Sequence, residues 1–295
     1  MKNKIGLVLG GGGAKGAYQI GVLKALQEYK LLKHVDCISA TSIGALNSMK
    51  VLENDIDGAI EIWQNINKDI ALSKSSLGTK LRTKSIFSRE GFKNLASEKL
   101  DLEKASKSKI QCYIIATPIS KKIKDLPTEF LVNGKSRDTI LSYLLASSAI
   151  PFVFEPVVID GVKYMDGFGV SNTPVETLKN KGCNIIFVVP LKETSDSYIY
   201  SDNDTLIIDF VSTTNNQGIK DGTLDFVASR SVERMNIGYQ VAKNLLDKLI
   251  KEKVIAIHWY QKIKMGFKGF SKNKRDNYYF LSREEIEKIV NNEHM

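Results

Sequence analysis

The run Ile5-Gly6-Leu7-Val8-Leu9 passes directly into four consecutive glycines, Gly10 to Gly13, and then into a helical pattern from Ala14 to Tyr29. An apolar run without polar alternation suits a strand buried on both faces, as in a parallel sheet. Glycines end such a strand because they reach backbone conformations that side chains forbid. Ala17, Ile20, Gly21, Leu23, Ala25 and Leu26 then recur at helical spacing. A second short strand, Cys37-Ile38-Ser39-Ala40, and a helix through Ile43, Leu46 and Val51 follow. Strand, helix, strand and helix in that order predict an α/β fold with right-handed winding and a mostly parallel central sheet.

Further strands are predicted over Ile110–Ile115, Glu129–Val132 and Ile185–Val189, and a helix over Asp138–Ser147. Val157–Ile159 and Val162–Tyr164 flank Asp160-Gly161, a hairpin signal. Residues 222–250 read as a long helix and 282–292 as a terminal one. Residues 68–109 are rich in Lys and Ser, and are expected to form connecting helices around Glu90–Leu100, with a lid as the alternative. The 295 residues, 43% hydrophobic, suffice for one sizeable core. Residues 1–215 are assigned to it, and 216–295 to a helical C-terminal extension packed on it rather than to an independent domain.

The net charge of +9 favours an anionic partner without choosing among nucleic acid, lipid surface and acidic substrate. Nucleic acid is disfavoured, since no reading motif accompanies the charge. Lys262, Lys264, Lys268, Lys272, Lys274 and Arg275 interleave with Met265, Phe267 and Phe270. That mixture suits either peripheral contact with an anionic membrane surface or a solvated C-terminal region. Cys37, Cys112 and Cys183 lie in apolar surroundings without a CxxC spacing, so buried thiols are expected rather than a disulfide framework or zinc site. The N-terminal residues lack a signal-peptide pattern, and no apolar run approaches the roughly 20 residues needed to span a bilayer. A cytoplasmic location, with peripheral membrane contact left open, is the expectation.

Gly10 to Gly16, after a strand and before a helix, aims backbone N–H groups at one spot beside a positive helix end. Such a nest holds a phosphate or a developing oxyanion. Gly11-x-Gly13-x-x-Gly16 with Asp36 also matches a dinucleotide fingerprint. Ser42, in Ala40-Thr41-Ser42-Ile43-Gly44, stands between strand and helix. That is the place of a nucleophile on a strained elbow, or of a simple helix cap. Of the three histidines, His34 precedes the elbow strand, His294 is penultimate, and His258 is expected to serve the core or surface. Asp166, in Tyr164-Met165-Asp166-Gly167 after the hairpin, is the better candidate for a base, against the alternative of an ordinary Asp-Gly turn.

The glycine loop, the Ser42 elbow and Asp166-Gly167, in that order, resemble the patatin-like phospholipase family. Leu145 to Pro156 is similar to that family's segment before its aspartate, and the resemblance spans roughly residues 4 to 190. It implies a three-layer α/β/α fold and a Ser42–Asp166 dyad without histidine. It also implies an oxyanion hole at Gly11, Gly12 and Gly13, with Gly44, Gly167 and Lys15 in support, and no metal or cofactor. The implied chemistry is hydrolysis of a phospholipid or another acyl ester. Two residues depart from the family pattern: Ala40 replaces the elbow's first glycine, and Phe168 the small residue after Asp166-Gly167. Two readings compete, a catalytically inactive relative that binds lipid or a partner, and a dinucleotide-binding oxidoreductase.

Overall fold

The computed structural model describes residues 3–67, 73–74, 87–88, 90–119, 126–167, 170–216, 218–257, 265–267 and 277–293. Its principal sheet has nine strands. In chain order they are β1 (Ile5–Leu9), β2 (Cys37–Thr41), β3 (Gln111–Pro118), β4 (Thr128–Leu131), β5 (Val157–Ile159), β6 (Val162–Asp166), β7 (Ile185–Val189), β8 (Leu206–Asp209) and β9 (Tyr278–Tyr279). They lie in the order β9-β8-β7-β1-β2-β3-β6-β5, with β4 also paired to β3. The six strands from β9 to β3 run parallel. β4, β5 and β6 add antiparallel pairings at the other end.

All five residues of β1 are buried, as the apolar run requires, and they divide between two cores. Leu7 and Leu9 enter one cluster, which also holds Ile38, Phe187 and Ile208 from neighbouring strands. Val8 enters a second cluster with Ile186, Val188 and Ile207. Helices α1 (Ala17–Glu28), α2 (Ile43–Leu52) and α3 (Ile56–Asn65) contribute to the first cluster. So do α4 (Glu90–Lys99), α5 (Leu102–Ser106) and α6 (Arg137–Ser147). α7 (Val175–Asn180) covers the second through Val175 and Leu178. Helices on both faces of one sheet make the predicted three-layer α/β/α arrangement.

α8 (Ala228–Lys251) lies along α1 and adds Met235, Val241, Leu245 and Leu249 to the larger core. The two helices touch through reciprocal glycines. A Cβ on Gly21 would fall 1.9 Å from Met235 O, and one on Gly238 2.1 Å from Tyr18 O. α9 (Arg283–Glu293) ends the described chain and adds Ile286 to the same core. Among the described residues, no helix is long and apolar enough to cross a membrane.

Two expected helix starts are displaced. Gly13–Gly16 forms a tight 3-10 turn, so α1 begins at Ala17 rather than Ala14, because Gly13 takes a left-handed φ of 58°. α8 begins at Ala228 rather than near 222, because Val227 is extended and bridges Asn67. The Asp160-Gly161 turn has φ of 50° and 79°, the doubly left-handed geometry of a two-residue hairpin. Residues 90–106 form two helices, α4 and α5, at the place where connecting helices were expected.

Candidate active site

β2 ends at Thr41 and α2 begins at Ile43, so the chain reverses at Ser42. Ser42 has φ 56° and ψ −125°, outside the regions a side-chain-bearing residue prefers, at a typical cost of about 1–3 kcal/mol. Its side chain makes no capping hydrogen bond to α2. Ser136 and Asp55, by contrast, cap their helices through Thr139 N–H at 3.3 Å and Gly58 N–H at 3.0 Å. The cap reading of Ser42 is therefore corrected: its hydroxyl makes no hydrogen bond to the backbone it would cap.

The bend is fixed by its neighbours. Ser42 N–H donates to Ser147 Oγ at 2.8 Å, and Ser147 Oγ donates to Ile115 O on β3 at 2.6 Å. A Cβ on Gly44 would lie 2.2 Å from Leu9 O, so only glycine lets α2 start this close to the end of β1. Ala40, by contrast, places its methyl in the main core with no exposure, so the elbow's departure from glycine is absorbed by packing.

The glycine loop comes directly against the elbow: a Cβ on Gly11 would sit 3.2 Å from Ser42 Cβ. Asn172 grips this loop on both sides. Gly11 N–H donates to Asn172 O at 3.0 Å, and Asn172 Nδ2 donates to Gly11 O at 3.1 Å. This corrects one of the three expected oxyanion donors, since the Gly11 N–H is already taken. Among the described residues, no acceptor takes the N–H of Gly12 or Gly13. Gly13 takes its left-handed turn close to the Thr223 carbonyl, which a Cβ there would meet at 2.1 Å, so only glycine fits.

Asp166 ends β6 and is buried, with its N–H donated to Ala149 O at 3.0 Å. The registers bring it toward the elbow. Thr41 pairs with Ile115 and Ala116 pairs with Asp166, so Ser42 and Asp166 flank the same stretch of β3. Gly167 closes the gap, since a Cβ there would lie 2.9 Å from Thr41 Cγ2. The Thr41 hydroxyl also donates to Ser171 O at 2.8 Å, tying the elbow to the loop after Asp166.

Ser42, Gly13 and Ser148 share a small cleft whose other walls include Ile43, Phe92, Ile150, Phe154 and Phe226. A nucleophile candidate and a glycine loop thus stand at the polar end of an apolar space. Lys15 is buried next to the loop, where burial and the neighbouring Arg234 and Lys192 hold its pKa below the ordinary lysine value. Arg234 donates to Ala14 O at 3.4 Å and pairs with Asp225 at 3.2 Å. Three cations thus cluster near the loop, Arg234 of them paired with Asp225. A solvated Lys15, the ordinary expectation on a first helical turn, does not occur.

The family model described as patatin-like phospholipase matches residues 7–179, more than half of the chain. This chain belongs to the patatin-like phospholipase family. Over 213 residues it is 27% identical to lysophospholipase NTE1 of Kluyveromyces lactis, covering 68% of this chain and 14% of that protein. It is 30% identical over 216 residues to a patatin-like phospholipase domain-containing protein of Caenorhabditis elegans, covering 69% and 15%. The chain thus spans about one seventh of the length of these relatives. Among solved structures it is similar to VipD from Legionella pneumophila, with a TM-score of 0.46, 17% identity, and coverage of 84% and 67%.

In this patatin-like chain Asp36 lies at the opposite end of the parallel strands from the glycine loop. It precedes β2, and its carboxylate accepts the Ile5 N–H at 2.8 Å where β1 begins, whereas the loop follows the end of β1. It cannot serve a dinucleotide bound at the glycines. His34 belongs to the same far end of the strands, its pKa lowered by burial, with the length of β2 between it and Ser42. His258, His294, Phe168, Phe270 and the cations Lys262, Lys264, Lys268, Lys272, Lys274 and Arg275 lie outside the described residues. Among the described residues, no group of three His, Cys, Asp or Glu side chains is placed to hold a metal ion.

Sequence reasoning did not assign roles to Ser147 or Asn172. Ser147 stands inside the segment similar to the family's, and Asn172 six residues after Asp166. Only their contacts with Ser42 and Gly11, distant in sequence, give them a function.

Proposed function

We propose that the chain is a serine acyl hydrolase of lipid esters, with Ser42 as nucleophile and Asp166 as base. The observation that carries this reading is the strained Ser42, uncommitted to capping, opening into an apolar cleft shared with Gly13. Asp166 takes the hydroxyl proton as Ser42 Oγ bonds to the ester carbonyl carbon. The carbonyl π electrons move to oxygen, and the N–H groups of Gly12 and Gly13 receive the oxyanion. One such donor contributes about 3–4 kcal/mol to transition-state stabilisation. The tetrahedral species re-forms the carbonyl and expels the alcohol, which leaves with the proton held by Asp166. Water then gives a proton to Asp166 and its hydroxyl to the acyl carbon; the acyl–Oγ bond breaks, Ser42 Oγ takes the proton back from Asp166, and the fatty acid leaves.

Family membership and the names of the relatives, a lysophospholipase among them, support a phospholipid or lysophospholipid substrate. The cations near the loop, Lys15, Lys192 and Arg234, suit a substrate carrying a phosphate. Peripheral contact with a lipid surface is supported by the cleft's rim. Phe152 is 84% exposed with a left-handed φ of 66°, on the same loop as the cleft residues Ile150 and Phe154. Val170, just beyond Asp166, is also exposed.

The test is labelling by a fluorophosphonate, followed by product analysis on phospholipid, lysophospholipid and neutral-lipid vesicles. Labelling and fatty-acid release should both vanish in Ser42→Ala, and fatty-acid release should fall by orders of magnitude in Asp166→Asn. Fatty-acid release undiminished in Ser42→Ala would refute the assignment.

A further inference from the structure

At the carboxyl ends of β7, β8 and β9 lies a cavity of about 330 Å³, within the usual range of small-molecule sites. Open α/β sheets place their ligands outside the carboxyl ends of their parallel strands. Ser42 leaves the sheet at the same end, but three strands away from β8, roughly 14 Å at the ordinary strand spacing. Among the described residues, this cavity and the Ser42 cleft share no wall.

Three aromatic rings line it. Tyr198 and Tyr278 meet edge to face, 6.2 Å apart at 68°, and Phe280 lies 5.1 Å from Tyr278 at 35°. The rings therefore form a corner rather than a stack. Tyr198 and Phe280 are 56% and 45% exposed, so their faces stand open instead of being packed away.

The charges around these rings are mostly negative. Glu193 also lines the cavity. Asp209 is buried behind the wall and accepts hydrogen bonds from two residues in it, from Ser195 Oγ at 2.5 Å and from Tyr278 Oη at 3.0 Å. Burial and the charges of Asp209 and Asp196 push the Tyr278 phenol well above its ordinary pKa, so its proton stays in that hydrogen bond. Among the described residues Arg283 is the one cation in the wall, and Glu287 holds it at 2.8 Å.

This chemistry selects among ligands. Ser195 and Tyr278 direct their protons at Asp209 and offer a ligand only oxygen lone pairs. A phosphate or carboxylate meets repulsion from Glu193 and Asp209 and gains no proton from these hydroxyls. A neutral hydrocarbon gains the rings but nothing from the carboxylates. A primary ammonium brings three N–H donors, and ring faces do not replace the water those donors lose. A quaternary ammonium has no N–H to satisfy, and its charge is attracted both by ring faces and by carboxylates.

We propose that this cavity binds a quaternary ammonium group of the choline type, caged by Tyr198, Tyr278 and Phe280, with Glu193 supplying the opposite charge. The site is distinct from the ester chemistry and does not depend on Ser42. Two sources carry such a group, a free small molecule and the headgroup of a lipid in a membrane surface.

The test uses the full chain carrying Ser42→Ala, so that lipids are not consumed. Choline, tetramethylammonium, ethanolamine and dimethylbutanol, the neutral isostere with carbon in place of nitrogen, are titrated by calorimetry. The two quaternary ions should bind about tenfold or more tightly than the other two, the effect of roughly 1.4 kcal/mol. Tyr198→Leu and Phe280→Leu keep an apolar side chain but remove the ring. Each should weaken choline binding by about three- to tenfold, as expected of a partly exposed cation–π contact. The two residues are exposed and lie on separate segments; circular dichroism identifies the folded variants, and either one carries the test. Co-sedimentation with phosphatidylcholine and phosphatidylethanolamine vesicles, both zwitterionic, separates the sources. A preference for phosphatidylcholine that the Leu variants lose assigns the site to a lipid headgroup, and choline binding without that preference assigns it to a free ligand. Three results would overturn the site: equal binding of choline and dimethylbutanol, folded Leu variants that behave like the parent, or a parent that neither binds choline nor prefers phosphatidylcholine. None of these readouts uses ester hydrolysis, so each leaves the assignment of Ser42 to its own test.

Discussion

The backbone N–H of Ser42 is held at 2.8 Å by the hydroxyl of Ser147, which in turn donates to Ile115 O at 2.6 Å. One side chain thus pins a strained residue to the adjacent strand of the sheet. Removing it in Ser147→Ala leaves a buried N–H and a buried carbonyl unsatisfied, at a cost of about 1–3 kcal/mol for each. The elbow then relaxes, so kcat should fall more than KM rises, because Ser147 acts on the nucleophile's position and not on lipid binding. Ser147→Thr keeps the hydroxyl and should recover most of the loss. Thermal unfolding and steady-state kinetics on a soluble ester check both parts. Equal defects in the Ala and Thr variants would show that the hydroxyl is not the anchor.

The strain at Ser42 makes a second prediction with an unusual sign. Its φ of 56° and ψ of −125° mirror a common extended conformation, which glycine adopts without penalty. Ser42→Gly should therefore be inactive yet more stable than the parent by about 1 kcal/mol, a shift of a few degrees in Tm. Ser42→Ala, still burdened by a Cβ, should be inactive without that gain. A calorimetric comparison of the three proteins decides it; a Gly variant less stable than the Ala variant would mean that no strain is stored at the elbow.

Two neighbours of Ser42 respond in opposite ways to one methyl group. A Cβ on Gly44 meets the Leu9 carbonyl at 2.2 Å, a backbone atom that cannot step aside, so Gly44→Ala should abolish soluble expression or lower Tm sharply. Ala40→Gly restores the family's expected residue but removes a buried methyl and loosens a strand. It should cost about 1–2 kcal/mol and leave the specific activity nearly unchanged. A large rise in activity for Ala40→Gly would show that the methyl restrains catalysis.

These contrasts show where sequence reading reaches its limit. The parallel sheet, the glycine turn and the elbow follow from local chemistry: apolar runs, backbone freedom at Gly10 to Gly13, and a serine between strand and helix. The allocation of individual hydrogen bonds does not. That Gly11 N–H is consumed while no described acceptor takes those of Gly12 and Gly13 depends on Asn172, brought across the fold by the loop after β6. The burial of Lys15 likewise depends on the fold, which brings Arg234 of α8 to the Ala14 carbonyl beside it. The Glu90–Lys99 pattern announces a helix, but the service of its Phe92 as a cleft wall depends on which neighbours it meets.

The last prediction concerns a carboxyl that the proposed chemistry does not use. Asp209 ends β8, is fully buried, and accepts hydrogen bonds from Ser195 Oγ at 2.5 Å and Tyr278 Oη at 3.0 Å. Its other oxygen has no hydrogen-bond partner among the described residues. Burial raises its pKa to about 6, from 3.8, against the opposing pull of those hydroxyls. The folded protein therefore binds a proton between these values that the unfolded chain has released. By linkage, this group's contribution to stability is fully present below about pH 4 and is lost as the pH rises through about 6, amounting to about 3 kcal/mol. Asp209→Asn removes the titration while retaining an oxygen for Ser195 and Tyr278. The difference in Tm between Asp209→Asn and the parent should grow in favour of the variant from pH 4 to 7 and stay level above that. Parallel profiles across this range would place the carboxyl's pKa at its ordinary value, with its charge stabilised by the two hydroxyls after all.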